Sequence, residues 1–302
     1  MPALFAFYLS TLVLLAPMLT CVGVGLYWGK RQLPFSANFL ALLVTSVSTP
    51  ALVFHTLVTT ELDNAVLLEL GGLSVLVLFV CAVVCGIALY LLRLPVRALL
   101  QTAAFPNSGN LGLPMSMLAF GPDGFSAAIV FFAVCAFVQN TIGVRTLPGA
   151  GAAGAWRSPV LIASVLAVLV RVFDASLPGW ALESVQLLGS LTVPLMLISL
   201  GYALSSIPMS GMRTGSVVAM LRLVVGFATT WAVTWALGLS ATLQGVMVLQ
   251  MTMPCAVLSY MFATRYTDKG EISAGAVLVS TVAFLLLSPL ILVLVGAPIS
   301  GW

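Results

Sequence analysis

Long apolar runs, separated by short clusters of turn-forming and charged residues, dominate this chain. They cover residues 4–29, 37–58, 65–92, 98–120, 125–147, 157–177, 184–206, 215–238, 241–264 and 272–296. A half-buried strand would alternate apolar and polar positions. These runs are continuous and longer than strands, so they predict helices. At 1.5 Å of rise per residue, each can cross a hydrocarbon core of about 30 Å.

Composition agrees. Of 302 residues, 61% are hydrophobic and 6% charged, where a soluble domain carries about 25% charge. Such a chain cannot cover a water-facing surface, and a bilayer removes the need. The net charge of +3 reflects a few loop residues and gives no case for nucleic-acid binding. The N-terminus lacks a Lys/Arg-rich start, and residues 4–29 are too long for a signal core, so they are expected to be the first span.

The loop charges set an orientation. Lys30, Arg31, Arg93, Arg97, Arg145, Arg157, Arg213, Arg265 and Lys269 follow odd-numbered spans, which is nine of the eleven basic residues. The opposite loops hold Glu61, Asp63, Asp123, Asp174 and Glu183, with Arg171 their only base. By the positive-inside rule the odd-to-even loops are cytoplasmic and both termini extracytoplasmic, in a multi-pass protein of the cell (inner or plasma) membrane.

Ten spans make five per half, an odd number, so the halves (1–147 and 157–302) are expected to be inverted relative to each other. Prolines echo at similar offsets: Pro50 with Pro194, Pro106 with Pro254. The expected fold is all-α, a five-plus-five inverted repeat in which broken helices 4 and 9 cross.

The chemistry is expected at those breaks. Span 4 carries Pro106-Asn107-Ser108-Gly109-Asn110, then Gly112 and Pro114. Proline removes a donor and glycine lowers helix propensity by about 1 kcal/mol. Unwound backbone is tolerated at membrane depth only where protein buries it or it lines a wet cavity. Span 9 breaks correspondingly at Pro254-Cys255-Ala256, with Gln250, Thr252 and Ser259 nearby. Half-helix N-termini meeting there offer free N–H groups and partial positive charge to an anion such as a carboxylate. A kinked packing helix with satisfied amides is the alternative for span 4.

Other polar residues have two readings each. Gln139 and Asn140 in span 5 face the site or join helices. His55 is a proton relay or a satisfied polar residue. Arg222, two turns into span 8, snorkels to the cytoplasmic face or serves structure or substrate. Cys81 and Cys85 lie one helical turn apart with no further ligand nearby, so they read as packing residues; no metal or cofactor is expected. There is no phosphate loop, zinc motif or nucleophile–base set, which argues against an enzyme.

Several stretches together resemble the auxin efflux carrier family, which includes plant PIN-FORMED carriers and bacterial malate and malonate permeases. They are Pro106-Asn107-Ser108 with Gly112, Pro114 and Gly121; Pro50 with Phe54-His55; Val138-Gln139; Ser199-Leu200-Gly201; Arg222 with Gly226; and Gln250, Pro254, Phe262-Ala263 and Tyr266. The resemblance covers nearly the whole chain. It implies the fold of bile-acid carriers, a scaffold of spans 1, 2, 6 and 7, and a mobile part of spans 3–5 and 8–10. It also implies elevator-like transport, dimers and organic-anion substrates. Asn107 and Gln139 match family substrate positions, and Gln250 and Pro254 the second crossover. The plant carriers have a proline and a glutamine in the span 9 break where this chain has Ser259 and Cys255, which counts against auxin itself as the substrate. The short loop between spans 5 and 6 implies a compact, bacterial-type member. Cation-coupled symport and ligand sensing without transport are the competing functions; the lack of acidic residues at the breaks disfavours the former.

Overall fold

The computed structural model describes residues 16–17, 19–60, 62–148, 159–205 and 211–297. The start of the first expected span, Glu61 and Arg157 lie outside them. The described chain is helical. Its elements are α1 (residues 19–30), α2 (Ala37–Leu43), α3 (Thr49–Thr59), α4 (Asn64–Leu91), α5 (Val96–Ala104), α6 (Leu113–Val138), α7 (Pro159–Val172), α8 (Gly179–Ser190), α9 (Thr192–Ser205), α10 (Met212–Ala236), α11 (Ala241–Thr252), α12 (Val257–Tyr266) and α13 (Gly270–Leu294). Five helical stretches, beginning at Asn64, Ser108, Gly179, Met212 and Gly270, are long and apolar enough to cross a membrane. Their outer faces expose Leu68, Phe79, Trp180, Trp235 and Leu286. Lipid accepts such a surface and water does not.

The expected boundary between spans 4 and 5, at residues 121–124, is a break in the helix. Gly121 has non-helical φ 66° and ψ −159°, so α6 consists of two helices that meet there, and Pro122 opens the second. Only glycine enters that backbone region cheaply, so one residue turns the chain.

Among the described residues, three π-helical turns interrupt the helices, at Val44–Ser48, Ser108–Gly112 and Gln139–Gly143. Two of them contain the polar clusters of spans 4 and 5. A π turn leaves one residue outside the regular ladder, and such turns concentrate at functional sites.

Glycines set the closest packing. A Cβ at Gly25 would overlap the Ile198 carbonyl, and one at Gly201 the Val22 carbonyl, so α1 and α9 cross backbone to backbone. Without a hydrophobic force between helices in lipid, such close approach is what holds them. Gly189 of α8 similarly lies against the Leu52 backbone of α3. Elsewhere α10 packs along α13, α11 and α4, and α6 against α4 and α11.

Arg171 has a structural task. Nη1 donates to the Leu57 and Thr60 carbonyls at 3.1 and 2.8 Å, Nη2 to the Leu62 carbonyl at 2.6 Å, and Nε to Asn64 Oδ1 at 2.7 Å. The guanidinium caps the open end of α3 and pins the turn into α4, as a cation at a helix C-terminus should.

Candidate functional site

The chain leaves helix twice in the core, at residues 105–107 and 253–256. The two breaks lie antiparallel and pair through their backbones. Asn107 N–H donates to the Pro254 carbonyl at 2.8 Å and Ala256 N–H to the Phe105 carbonyl at 3.3 Å, which makes a bridge between Pro106 and Cys255. The prolines explain why the breaks occur here, since each lacks the N–H that would continue the helix. Pairing the breaks satisfies some of the amides and carbonyls that unwinding exposes.

At the first break Asn107 has φ −76° and ψ 56° and begins the π turn; its carbonyl accepts from Leu111 and Gly112 N–H at 3.3 and 3.1 Å. Asn107 is 5% exposed, yet its Nδ2 has no partner among the described residues. The N–H groups of Ser108, Gly109 and Asn110 have no acceptor there either. Four donors therefore lie at the positive end of a helix that runs from Ser108 to the break at Gly121. Ser108 and Gly109 are buried and Asn110 is half-buried. A Cβ at Gly109 would lie 2.8 Å from Phe132 Cε2 and 3.5 Å from Met196 Cε, so an aromatic edge and a flexible thioether flank these donors.

The second break is better satisfied. Cys255 N–H donates to Ser280 Oγ at 3.0 Å and Ser259 N–H to the Ala256 carbonyl at 3.0 Å. The N–H groups of Val257 and Leu258 remain open at the start of α12. Cys255 is fully buried and meets the first break through backbone, not thiol. Ala256 is 5% exposed.

Gln139 and Ser259 join the two regions. Gln139 Nε2 donates to Ser259 Oγ at 3.1 Å, Ser259 Oγ to the Gln101 carbonyl at 3.2 Å, and Gln101 Nε2 to the Gln139 carbonyl at 3.2 Å. The cluster ties α5, the Gln139–Gly143 turn and α12 together below the breaks; Asn140 lies in the same turn. Gln250 donates from Nε2 to Ser116 Oγ at 3.0 Å and lies against Gly112, where a Cβ would overlap its amide. It thus fastens α11 to the helix that the first break starts.

Arg222 does not snorkel. It is fully buried, and its guanidinium binds the carbonyls at the ends of α5 and α11. Nη1 donates to Ala104 and Ala103 at 2.5 and 3.4 Å, Nε to Met253 at 3.3 Å, and Nη2 to Met251. Nη1 also lies 3.6 Å from Cys81 Sγ. A helix inside protein ends in unpaired carbonyls, and one side chain satisfies two such ends. This partnership was invisible in the sequence because carbonyl partners have no residue signature; the only trace was a charge placed in mid-span. His55 is half-buried on α3, and among the described residues no hydrogen bond joins its ring to the breaks. Cys81 and Cys85 place their sulfurs 3.9 Å apart beside α5.

A crevice of about 550 Å³ opens between the start of α5 and the end of α12, lined by Pro95, Arg97, Pro148, Tyr266, Asp268 and Lys269. Lys269 pairs with Asp268 at 2.7 Å and holds its carboxyl below the usual carboxylate range. The two half-helices bordering this crevice lead inward to the breaks.

The sequence profile of a family described as "Membrane transport protein" matches residues 151–292. The chain is 26% identical to an uncharacterized transporter of Methanocaldococcus jannaschii over 83% of its own length and 87% of that protein. It is 27% identical to an uncharacterized transporter of Methanothermobacter thermautotrophicus over 92% and 93%. With auxin efflux carrier component 8 of Arabidopsis thaliana it shares 23% identity over 59% of this chain and 65% of the plant protein. Apolar helices of membrane length, two paired breaks in the core and these relatives converge: the chain is similar to membrane transport proteins, an auxin efflux carrier among them.

Proposed function

We propose that this protein is a secondary carrier of small organic anions, with the carboxylate held at the paired breaks. The observation that carries the reading is the set of unspent donors at the first break. Asn107 Nδ2 and the N–H groups of Ser108, Gly109 and Asn110 are without acceptors at a helix N-terminus, where an anion is favoured. Phe132 and Met196 beside Gly109 suit an apolar substrate body.

In this reading residues 1–147 and 157–302 are inverted five-helix repeats, the breaks are their crossing point, and both chain ends are extracytoplasmic. The antiparallel pairing of the breaks and the placement of nine of eleven basic residues after odd spans support it. Movement is elevator-like, with spans 3–5 and 8–10 carrying the site past spans 1, 2, 6 and 7 in a homodimer. The glycine crossing of α1 with α9 and of α8 with α3 fits a scaffold that stays together.

The test is binding and flux of a panel of mono- and dicarboxylates, by thermal shift on purified protein and by uptake into proteoliposomes. An acid that binds stabilises the folded state as its concentration passes Kd. Asn107→Ala is expected to weaken that acid at least tenfold and leave stability within about 0.5 kcal/mol, because Nδ2 has no partner to lose. Equal binding by the variant rejects the Asn107 assignment, and binding without flux favours a sensor. Cation-coupled symport is the second reading, favoured by the unpartnered buried acceptors Gln101 Oε1 and Gln250 Oε1. Replacing Na⁺ by choline, or imposing a pH gradient, during uptake separates the two.

A further inference from the structure

Four helix ends meet in this core, and their charges do not balance alike. α5 and α11 arrive with carbonyl ends, each worth about half a negative charge. The runs starting at Ser108 and Val257 leave with N–H ends, each worth about half a positive charge. Arg222 contacts only the first pair: its donors reach Ala103 and Ala104 of α5, and Met251 and Met253 at the end of α11.

The guanidinium is 0% exposed and has no carboxylate partner among the described residues. Every acidic side chain described is at the surface, and Asp268 with Lys269 is the ion pair found. An unpaired cation at this depth is expensive unless something local compensates it. The two carbonyl ends supply roughly one negative charge, which Arg222 offsets. What remains is roughly one positive charge at the two N–H ends. There Asn107 Nδ2, 5% exposed and without a partner, points to a missing acceptor.

We propose that Arg222 sets the charge selectivity of the site: by neutralising the ends of α5 and α11 it leaves the breaks matched to an anion with a single negative charge, in preference to a dianion. The inference rests on the reading of the first break as an anion site and narrows it to monocarboxylates. Arg222 is a positioning residue in this scheme, since its donors are occupied by carbonyls and it acts through the field. Asn107 follows Ala104 by three residues, a reach of at most about 11 Å. A unit charge at roughly that distance, with an effective dielectric of about 20, changes anion binding by about tenfold or more.

The experiment uses the full chain in detergent at neutral pH and two pairs of acids that differ by one charge on the same skeleton: monomethyl malonate against malonate, and phenylacetate against phenylmalonate. Apparent Kd is read from the concentration dependence of thermal stabilisation. In wild type the monoanion of a pair is expected to bind at least about tenfold tighter. In Arg222→Gln the monoanion weakens by about tenfold, and the dianion by about tenfold more, so their ratio moves. In Arg222→Lys the monoanion stays within about threefold. A merely structural role would lower the melting temperature of Arg222→Gln and leave that ratio unchanged. Tighter binding of malonate or phenylmalonate by the wild type overturns the proposal, as does an unmoved ratio in Arg222→Gln. If Arg222→Gln does not fold, the wild-type ratio decides alone. If no acid of either pair binds, the anion site itself is refuted, whereas binding with a dianion preference refutes the charge matching alone.

Discussion

The two breaks are built alike and finished differently. Each follows a short half-helix, each turns at a proline, and each pairs with the other through the backbone. Past the first, Asn107 Nδ2 and three successive N–H groups meet no acceptor. Past the second, Ser280 Oγ takes the Cys255 N–H and the Ala256 carbonyl takes that of Ser259. Their neighbours differ too. Gly109 and Gly112 of the first face side chains, those of Phe132, Met196 and Gln250. The second packs backbone to backbone, with the Met251 carbonyl against Gly226 of α10. In the proposed reading, the first break is left open for a ligand and the better satisfied second break is the wall behind it. Symmetry of backbone does not carry over into symmetry of chemistry, because the polar atoms that close one break come from elements far away in sequence.

The comparison is tested most severely at the glycines. Gly226→Ala places a methyl group on the Met251 carbonyl oxygen and against the Arg222 guanidinium, where a backbone atom cannot yield. Overpacking of this kind costs about 1–3 kcal/mol, and displacing Arg222 would add to it. The melting temperature of the purified variant should fall by several degrees, well beyond that of Gly109→Ala, whose methyl meets the edge of one phenyl ring. If Gly109→Ala were the more damaging for stability, the division into an open break and a fixed wall would be mistaken.

How much of this was readable beforehand follows from where the partners lie. The apolar runs announced helices, and Pro106 and Pro254 announced breaks, because chain direction and backbone chemistry are local. The boundary between spans 4 and 5 was legible for the same reason: Gly121 before Pro122 reads as a turn, and Gly121 is the non-helical residue at which the chain breaks, with φ 66°. The π turns at Ser108–Gly112 and Gln139–Gly143 leave no pattern, as they depend on a one-residue slip in the ladder. Gln139 looked equally suited to substrate or to helix joining, and it is found joined to Ser259. Arg222 and Arg171 were legible as charges out of place but not as caps, because their partners are main-chain oxygens that any sequence would supply.

A smaller effect separates the walls of the second break. Ser280→Ala removes the acceptor of the Cys255 N–H and leaves that donor buried without a partner. An orphaned buried N–H costs about 1–3 kcal/mol. The loss should appear as lowered thermal stability with anion affinity changed less than about threefold. The opposite pattern is expected of Asn107→Ala, with binding lost and stability kept. The two variants therefore cross over in the two measurements. A Ser280→Ala protein that kept its stability and lost its ligand would place the site at the second break instead.

The subtlest test lies in the cluster below both breaks. Ser259 Oγ accepts from Gln139 Nε2 and donates to the Gln101 carbonyl, so Ser259→Ala cuts the link between α12 and the α5–Gln139 pair. Hydrogen bonds between membrane helices average about 0.6 kcal/mol, because the separated helices find other partners. A melting shift near the limit of detection is therefore expected in the unliganded protein. The consequence for transport is larger if the cluster must part when the site turns toward the crevice at Arg97 and Lys269. A weakened link would then raise the uptake rate while leaving Kd unchanged. A static support would instead leave the rate unchanged or lower it. Uptake and equilibrium binding measured on the same Ser259→Ala preparation distinguish a latch from a brace. A rate that falls together with affinity would assign Gln139 to the ligand, as the family likeness implied, and would make the tie to Ser259 the resting state of a binding residue.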